Sequence, residues 1–314
     1  MGTDHTSTTS TTGEETSRLL ARTAVVVVSY NSPELLKTNL ARVCQDVPEA
    51  RFVVVDNLST PQVREATLAL GREHGWSVET PETNTGFGGG VNLGVARARA
   101  EGAEVLLLLN PDAVISRENL IRLVSRAQAE PLTLVAPVLT SSEGSIVADR
   151  TVVCLADGSM RSPRSTRPIP PGGTRPWLSG ACLALSARLF EAVGGFDERF
   201  FMFYEDVDLG WRLNLLGHRV RYVPGSLAFH RHHVTMKKFG NFREQYLLER
   251  NALLSMYKNY DDESLARALP AALDLAVTRT SGLAQQPLAL PQGAEAGSRT
   301  PVAKMALTGA YAVD

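Results

Sequence analysis

Cysteine is scarce in this chain: Cys44, Cys154 and Cys182 are the three among 314 residues, and no two form a CxxC pair. That scarcity argues against a disulfide framework and against a cysteine zinc site, and it fits a reducing compartment. A surplus of charge is missing too, because 32 Lys and Arg face 33 Asp and Glu for a formal net charge of -1. A protein held to nucleic acid by phosphate neutralisation needs a net basic field or a long basic stripe, so no nucleic-acid partner is expected. Long hydrophobic runs are absent: Ala24 to Val28 and Val105 to Leu109 are as long as any, and they fall far short of a bilayer. The first residues carry neither a basic flank nor an apolar core, so no signal peptide is expected. What is present is enough apolar material, 44% of residues against 21% charged, to bury a core. The expectation is a soluble cytoplasmic protein, either an enzyme or a binding module.

Both ends read as tails. Residues 1–17 are dominated by Thr, Ser and Gly, and ordering them would cost about 1–2 kcal/mol per residue with little burial in return. The disordered N-terminal tail is therefore drawn over 1–20, and a flexible C-terminal tail rich in Ala, Gln, Pro and Gly over 281–314. Between them lie one main domain, 21–260, and a C-terminal helix, 261–280. Its first half alternates two signals. Short apolar runs predict strands at Ala24–Val28, Phe52–Val55, Val105–Leu109 and Leu132–Ala136, with a shorter one at Ser77–Glu79. Helices are expected at Pro33–Cys44, Pro61–His74, Asn92–Ala100 and Arg117–Ala129. Strands spaced by such helices mean right-handed crossovers and a mostly parallel α/β sheet. After Pro137 the character changes to a hairpin over 138–155 and a long loop over 157–176 that carries Arg161, Arg164, Arg167 and Arg175. An aromatic strand, Phe200–Tyr204, then precedes a helix at Glu205–Leu216, a strand at Arg219–Val223 and two amphipathic helices, Phe242–Tyr260 and Glu263–Val277.

In an open parallel sheet a ligand lies beyond the carboxyl ends of the strands. Four such edges here are polar: Ser29-Tyr30-Asn31, Asp56-Asn57-x-Ser59, the Gly-rich stretch from Asn84 and Gly86 to Asn92, and Asn110-Pro111-Asp112. Each alone is explained by turns and helix caps; four at one end of one sheet point to a site. The glycines do not form a G-x-G-x-x-G fingerprint, which leaves an NAD oxidoreductase poorly supported, and no G-K-[ST] occurs, which excludes a P-loop. That helix start could attract an anion or let backbone approach a ligand. Asp112 follows the most hydrophobic strand, where a carboxylate is costly unless it is paired or bound to a metal. Four of the six histidines, His218, His230, His232 and His233, lie close together. A carboxylate and His230 from distant segments suit Mg²⁺ or Mn²⁺ with phosphate oxygens completing the shell. The densest acidic site is Glu205-Asp206-Val207-Asp208, at a helix start whose dipole favours acids. Asp206 and Asp208 cannot share one helix face, so one can point into a cleft as a general base while the other caps or pairs with Arg212.

Together with Trp177-x-x-Gly180, Gly194-Gly195-Phe196-Asp197 and His230, this order of motifs resembles the family 2 inverting glycosyltransferases of GT-A fold, and within them the bacterial rhamnosyltransferase-like branch. The resemblance runs from about Thr23 to Tyr260. It implies a Rossmann-like, mostly parallel central sheet flanked by helices, with further helices at the C-terminus. It also implies a nucleotide-diphospho-sugar donor, dTDP-, UDP- or GDP-linked, and a glycan, glycolipid or small-molecule acceptor. By carry-over, Ser29, Tyr30, Asn31, Asp56, Asn57, Asn84, Gly86, Asn92, Asn110 and Asp112 would line the donor. Trp177, Gly180, Glu205 and Arg212 would border the acceptor or sugar, Asp112 and His230 would hold Mg²⁺ or Mn²⁺, and Asp206 would be the catalytic base. Two departures stand out: Asn110 replaces the first acid of the metal motif, and Pro61 stands where an acid often follows Ser59. The Arg161–Arg175 loop either meets an anionic acceptor, closes over the donor or is solvated. Phe242, Tyr246, Leu253 and Tyr257 form a helix face that suits core packing or peripheral contact with the inner face of the plasma membrane.

Two other readings compete. A sugar nucleotidyltransferase would show a Gly-rich, Arg- or Lys-bearing loop directly after the first strand, and Ser29-Tyr30-Asn31-Ser32-Pro33 is not one. A noncatalytic nucleotide-sugar-binding protein would have no need of Glu205-Asp206 and His230 together.

Overall fold

The computed structural model describes residues 13–140, 152–153, 160–161, 174–231 and 241–284. Its centre is built from strands with apolar residues on both faces: β1 (Thr23–Ser29) and β4 (Val105–Leu109) are buried at every position, and β2 (Arg51–Asp56) at all but its first. Successive side chains of a strand point to opposite faces. Val25, Val27, Val54 and Leu107 thus enter one core layer, and Val26, Val28, Val53 and Leu106 the other. Five more strands extend the sheet: β3 (Ser77–Glu79), β5 (Ala113–Ile115), β6 (Thr133–Thr140), β9 (Cys182–Ser186) and β10 (Arg219–His230). The order is β3-β2-β1-β4-β9-β6-β10-β5. Strands β1 to β4 pair in parallel, as the alternation of signals predicts.

The sheet as a whole is mixed, because β9 runs antiparallel to both β4 and β6, and β5 antiparallel to β10. Strand β9 is not among the expected strands: Cys182-Leu183-Ala184-Leu185-Ser186 is five residues with no β-branched residue, and its last residue, Ser186, is already the cap of the next helix. A separate two-stranded piece pairs β7 (Val152–Val153) with β8 (Met160–Arg161). The rest of the expected 138–155 hairpin, beyond Thr140, lies outside the described residues apart from these strands, as do Arg164, Arg167, His232 and His233.

Helices cover both faces. On one side are α1 (Gly13–Ala21), α2 (Pro33–Leu35) continuing through a π turn (Leu36–Leu40) into α3 (Ala41–Asp46), α4 (Pro61–His74) and α6 (Arg117–Ala129). On the other are α5 (Gly86–Ala100), α7 (Ala187–Ala192) and α8 (Glu205–Leu215). Two further helices, α9 (Asn241–Asn259) and α10 (Asp262–Ala284), pack on each other, and α9 packs on α8.

Helix α1 corrects the expected tail over 1–20. Its Leu19 and Leu20 are buried against the sheet layer, and the Thr23 hydroxyl donates to the Leu19 carbonyl, so those residues gain the burial that the Thr- and Ser-rich stretch before them lacks. The anticipated aromatic strand Phe200–Tyr204 is instead a 3-10 turn (Glu198–Phe200) followed by backbone in which Phe201, Phe203 and Tyr204 all have positive φ, at 63°, 69° and 66°. The expected α9 face also divides: Leu253 is buried, but Tyr257 is 74% exposed. The buried side of α9 runs through Leu247, Asn251, Ala252, Ser255 and Met256.

The Gly-rich stretch earns its glycines by packing. Helix α5 lies so close to the sheet that a Cβ at Gly94 would stand 2.5 Å from the Val26 side chain. At Gly86, φ is +73° and a Cβ would meet the Phe201 carbonyl oxygen at 2.1 Å, while the next residue, Phe87, donates its N–H to that oxygen at 2.6 Å. The backbone brought to the helix start is therefore the protein's own. Gly86→Ala should destabilise the fold by about 2 kcal/mol or more, from the left-handed backbone and the steric clash together; a fall in the urea midpoint measures it.

Candidate active site

Three strand ends and one strand start meet at a single rim. Strands β1, β2 and β4 end there in Ser29, Asp56 and Leu109, and antiparallel pairing of Leu109 with Cys182 brings the start of β9 to the same edge. Asn110 donates its N–H to the Ala181 carbonyl at 2.9 Å, so the turn carrying Asp112 is tied to the residue after Gly180. Strand β10 runs parallel to β6 and ends at His230, whose register partner across the β5 pair is Ala113. This pairing sets His230 Nε2 3.2 Å from Asp112 Oδ1, with both side chains buried.

That pair passes a test of fit for a divalent ion. Two ligands side by side on an octahedral ion with bonds of 2.0–2.1 Å lie about 3 Å apart, close to the observed separation. A carboxylate oxygen and an imidazole nitrogen are also a donor set that Mn²⁺ or Mg²⁺ accepts when phosphate oxygens supply the rest. No group of three or more His, Cys, Asp or Glu that could hold a metal occurs among the described residues. Of the other histidines read as a cluster, His218 lies just before β10, at the end of the strand opposite His230.

Asp206 sits in the first turn of α8, partly exposed. Its Oδ2 accepts the Gly180 N–H at 2.9 Å, and its Oδ1 accepts the Val207 N–H at 2.8 Å. Desolvation in the cleft pushes its carboxyl up to about 6, and those two N–H bonds hold it from rising further. Glu205 is buried and its Oε2 has no protein partner; desolvation, joined by the charge of Asp206, raises it well above the usual carboxylate range. Asp208 faces the other way, as the helix geometry requires. It accepts from Arg212 Nε at 2.8 Å, from Asn259 Nδ2 at 3.1 Å and from Lys258 at 2.7 Å. The Arg199 guanidinium, aided by Lys258, holds Asp197 well below the usual range.

The structure gives several expected ligand residues a different task. Asn57 is saturated: Nδ2 donates to Gly86 O and Asn84 Oδ1, and Oδ1 accepts the Thr85 N–H and hydroxyl. It fastens the 84–86 turn to the end of β2 instead of reaching a ligand. Asn84 Oδ1 also accepts the Gly86 N–H. Asn92 clamps α5 to the Gly195-Phe196 turn, taking the Phe196 N–H and donating to the Phe196 carbonyl and Glu198. The Arg212 guanidinium is occupied by Val193 O, Gly195 O and Asp208, which removes it from the acceptor side. Trp177 packs against the buried cluster that holds Phe200, Tyr204 and Trp211, and Gly210 allows the close approach because a Cβ there would lie 2.6 Å from the Trp177 Cα. Arg175 stands over the Tyr222 ring, eight residues before His230 on β10 and therefore away from the rim.

Other expected residues remain at the rim. The Ser29 hydroxyl is buried there without a protein partner. Asp56 is fully buried, with Arg64 Nε on Oδ2 at 3.1 Å and the Ser59 N–H on Oδ1. Asn31, at φ 49°, holds Thr60 through its side chain and Ser59 through its N–H. Not foreseen at all are Arg250, Asn251, Lys258 and Asn259 of α9, which grip the 197–208 segment. Their signal is polar residues recurring at helical spacing beside an apolar face, with an asparagine in a helix interior where its propensity is poor.

Comparison with known proteins agrees with this architecture. The family described as Glycosyl transferase family 2 matches residues 24–194, more than half of the chain. Over 245 residues, covering 74% of each chain, the protein is 26% identical to the low-salt glycan biosynthesis hexosyltransferase Agl10 of Haloferax volcanii. Over 231 residues, 66% of this chain and 75% of the relative, it is 30% identical to the N-acetylglucosaminyl-diphospho-decaprenol L-rhamnosyltransferase of Mycobacterium tuberculosis. A solved structure of GalNAc-T7 with UDP, GalNAc and Mn²⁺ shares the fold at a TM-score of 0.64 and 16% identity, over 94% of this chain and 55% of that one.

Glu205 carries a prediction on stability. A carboxyl raised in the folded state favours folding below its unfolded value and loses that contribution as pH climbs through the folded value. Glu205→Gln, which cannot ionise, should therefore gain stability relative to the parent at pH 8, and the gain should shrink towards pH 4. Urea midpoints at the two pH values decide it; a gain that is equal at both would show that Glu205 does not change protonation on unfolding.

Proposed function

The chain belongs to glycosyl transferase family 2, and from that premise we propose that it moves a hexosyl or deoxyhexosyl group, rhamnosyl among them, with Asp206 as general base. It is a nucleotide-sugar glycosyltransferase of GT-A fold acting in glycan or cell-wall biosynthesis, and inversion at the anomeric carbon is the property of its family. The observation that carries the assignment of the base is Asp206 itself: a partly exposed carboxylate, aimed by the Gly180 and Val207 N–H groups, at the rim where the strands end. Its value of about 6 leaves it ionised at neutral pH yet basic enough to take a proton.

The donor lies in this reading along Ser29, Tyr30, Asp56 and Asn110, with a dTDP-, UDP- or GDP-linked sugar, and the acceptor enters from the Trp177 and Glu205 side. An acceptor hydroxyl against Asp206 attacks the anomeric carbon while its proton passes to a carboxylate oxygen of Asp206. The bond from that carbon to the diphosphate oxygen breaks, and its electron pair leaves with the nucleoside diphosphate. One displacement without a covalent intermediate inverts the configuration. Asp112 and His230 would hold a divalent ion, Mg²⁺ or Mn²⁺, which when bound supplies Lewis-acid neutralisation of the diphosphate. Asn110, in place of an acid, leaves that ion one negative charge fewer and gives His230 greater weight. The folded unit of this reading spans α1 to α9. A lipid-linked diphosphate acceptor, as in the name of the mycobacterial relative, would bring the enzyme to the inner membrane face. No helix among the described residues is long and apolar enough to cross a membrane.

A thermal-shift screen of dTDP-, UDP- and GDP-sugars with Mn²⁺ or Mg²⁺ tests the donor class. A donor held at 100 times its Kd should stabilise the protein by about 2.7 kcal/mol, and no shift with any of them would sink the reading. Asp206→Asn should lose about two to four orders of magnitude in turnover while keeping the donor-induced shift. The parent's rate should fall on the acid side with a midpoint near 6, as Asp206 takes up its proton, and that limb should vanish in the variant. Near-normal turnover in Asp206→Asn would reassign the base. Asp112→Ala and His230→Ala should each abolish the part of the donor shift that depends on added metal; a shift equally metal-dependent in both would reject them as ligands.

A further inference from the structure

The run Phe200–Tyr204 delivers Glu205 and Asp206 to the cleft in an unfavourable shape. Phe201, Phe203 and Tyr204 are left-handed, and none is a glycine. Each such residue costs on the order of 1–3 kcal/mol and persists only where its surroundings over-determine it. On one side the restraint is the Phe87 N–H on the Phe201 carbonyl. On the other it is α9: fully buried Asn251 places Nδ2 at 2.9, 2.7 and 2.8 Å from the carbonyl oxygens of Phe200, Met202 and Phe203. An amide has two N–H donors, so three oxygens share them. The Asn251 Oδ1 is fixed in turn by Arg250, whose Nη2 also reaches the Arg199 and Phe200 carbonyls.

We propose that Asn251, with Arg250 behind it, is a positioning residue for the base: it holds the left-handed run whose shape sets Asp206 against the Gly180 N–H. The proposal rests on the reading of Asp206 as base. An apolar contact could fill the same space, but it would take this donor from the Met202 and Phe203 carbonyls and leave Phe200 O to Arg250 and the Met202 N–H. Arg250 and Asn251 together gather the carbonyls of Arg199, Phe200, Met202 and Phe203, all within the seven residues before Asp206. Farther along the same helix, Lys258 and Asn259 hold Asp208, so α9 fixes the acidic turn on both sides of Asp206. A misplacement of about 1 Å at a reacting group can cost 10²-fold in rate, and that is the effect the clamp prevents.

The test compares the full-length parent with Asn251→Ala, Asn251→Asp and Asp206→Asn. Asn251→Asp keeps the shape but sets an acceptor against three acceptors. Turnover is release of nucleoside diphosphate from dTDP-, UDP- and GDP-sugars with Mn²⁺ and water as acceptor; donor binding is read by thermal shift. Hydrogen exchange follows the Gly180 and Val207 amides, whose bonds to Asp206 report its placement without any activity. Both Asn251 variants should lose about 10- to 100-fold in kcat, keep the donor-induced shift, and exchange those two amides faster while β1 and β4 stay protected. Parental kcat in a folded Asn251 variant overturns the proposal, and so does a loss of donor shift and of β1 protection in parallel with kcat. Where neither Asn251 variant folds, Arg250→Gln decides by the same split between kcat and donor shift. Normal turnover in Asp206→Asn removes the base reading and this inference with it, whereas a slow Asp206→Asn beside a normal Asn251→Ala removes the inference alone.

Discussion

Five residues that would not keep their shape unaided, Phe200–Tyr204, lead from the 3-10 turn after α7 into the acidic start of α8. L-amino acids resist the left-handed region because Cβ crowds the following carbonyl, and three of these five occupy it. The surrounding elements are shaped to compensate. Helix α5 begins with Gly86 because a Cβ there would strike the Phe201 carbonyl, and Phe87 then donates to that same oxygen. Helix α9 carries Asn251 in its interior, a poor place for the residue by propensity, because the carbonyls of the run have to be satisfied there. Two helices far apart in sequence thus hold one strained segment between them.

The second constraint is the direction of β9. A parallel strand beside β4 would bring its far end to the rim; the antiparallel one brings its beginning. That choice places Ala181 against Asn110 and leaves the Gly180 N–H free to aim Asp206. A continuous backbone path therefore runs from the Asp112 turn to the base through Asn110, Ala181 and Gly180. On the other flank the β5 pair with β10 closes Asp112 on His230. The two chemically distinct parts of the site, a pair suited to a metal and an isolated carboxylate, are held in register by strand pairing, with no dependence on long flexible side chains.

The parallel half of the sheet was legible because Ala24–Val28, Phe52–Val55 and Val105–Leu109 are apolar on both faces, a pattern that only a buried strand satisfies. The opposed fates of Asp206 and Asp208 were legible too, since residues two apart on a helix cannot share a face. Strand β9 was not, for five residues without β-branching read equally well as the approach to a helix. Nor was the left-handed run, because Phe and Tyr in sequence favour a strand and only contacts with α5 and α9, distant along the chain, override that preference. The protein partners of Asn57 and Asn92, and the carbonyls that Arg212 holds besides Asp208, were not legible for a related reason. A motif marks a residue as present at the site, but whether its polar atoms face a ligand or the protein depends on what the fold places opposite them.

The near-zero net charge of the chain averages over a local arrangement that decides which carboxylate can act as a base. Four acids lie between Asp197 and Asp208 around the start of α8, besides Glu198 on the turn. Arg199 and Lys258 compensate Asp197 and hold it well below the usual carboxylate range, and Asp208 is paired with Arg212 and Lys258. Among the described residues, no ion pair is formed by Glu205 or Asp206. Desolvation then acts on these two unopposed by a cation, and they share the consequence unequally. Glu205, buried and without a donor on Oε2, is raised well above the usual carboxylate range by desolvation and by the charge of Asp206. Asp206, with two backbone N–H groups on its carboxylate, remains the charged member. The arrangement therefore separates two tasks along one short segment: the Lys258 ammonium is engaged by Asp208 and Asp197, while the Gly180 amide is left to aim Asp206, the carboxylate of the group that meets no cation among the described residues.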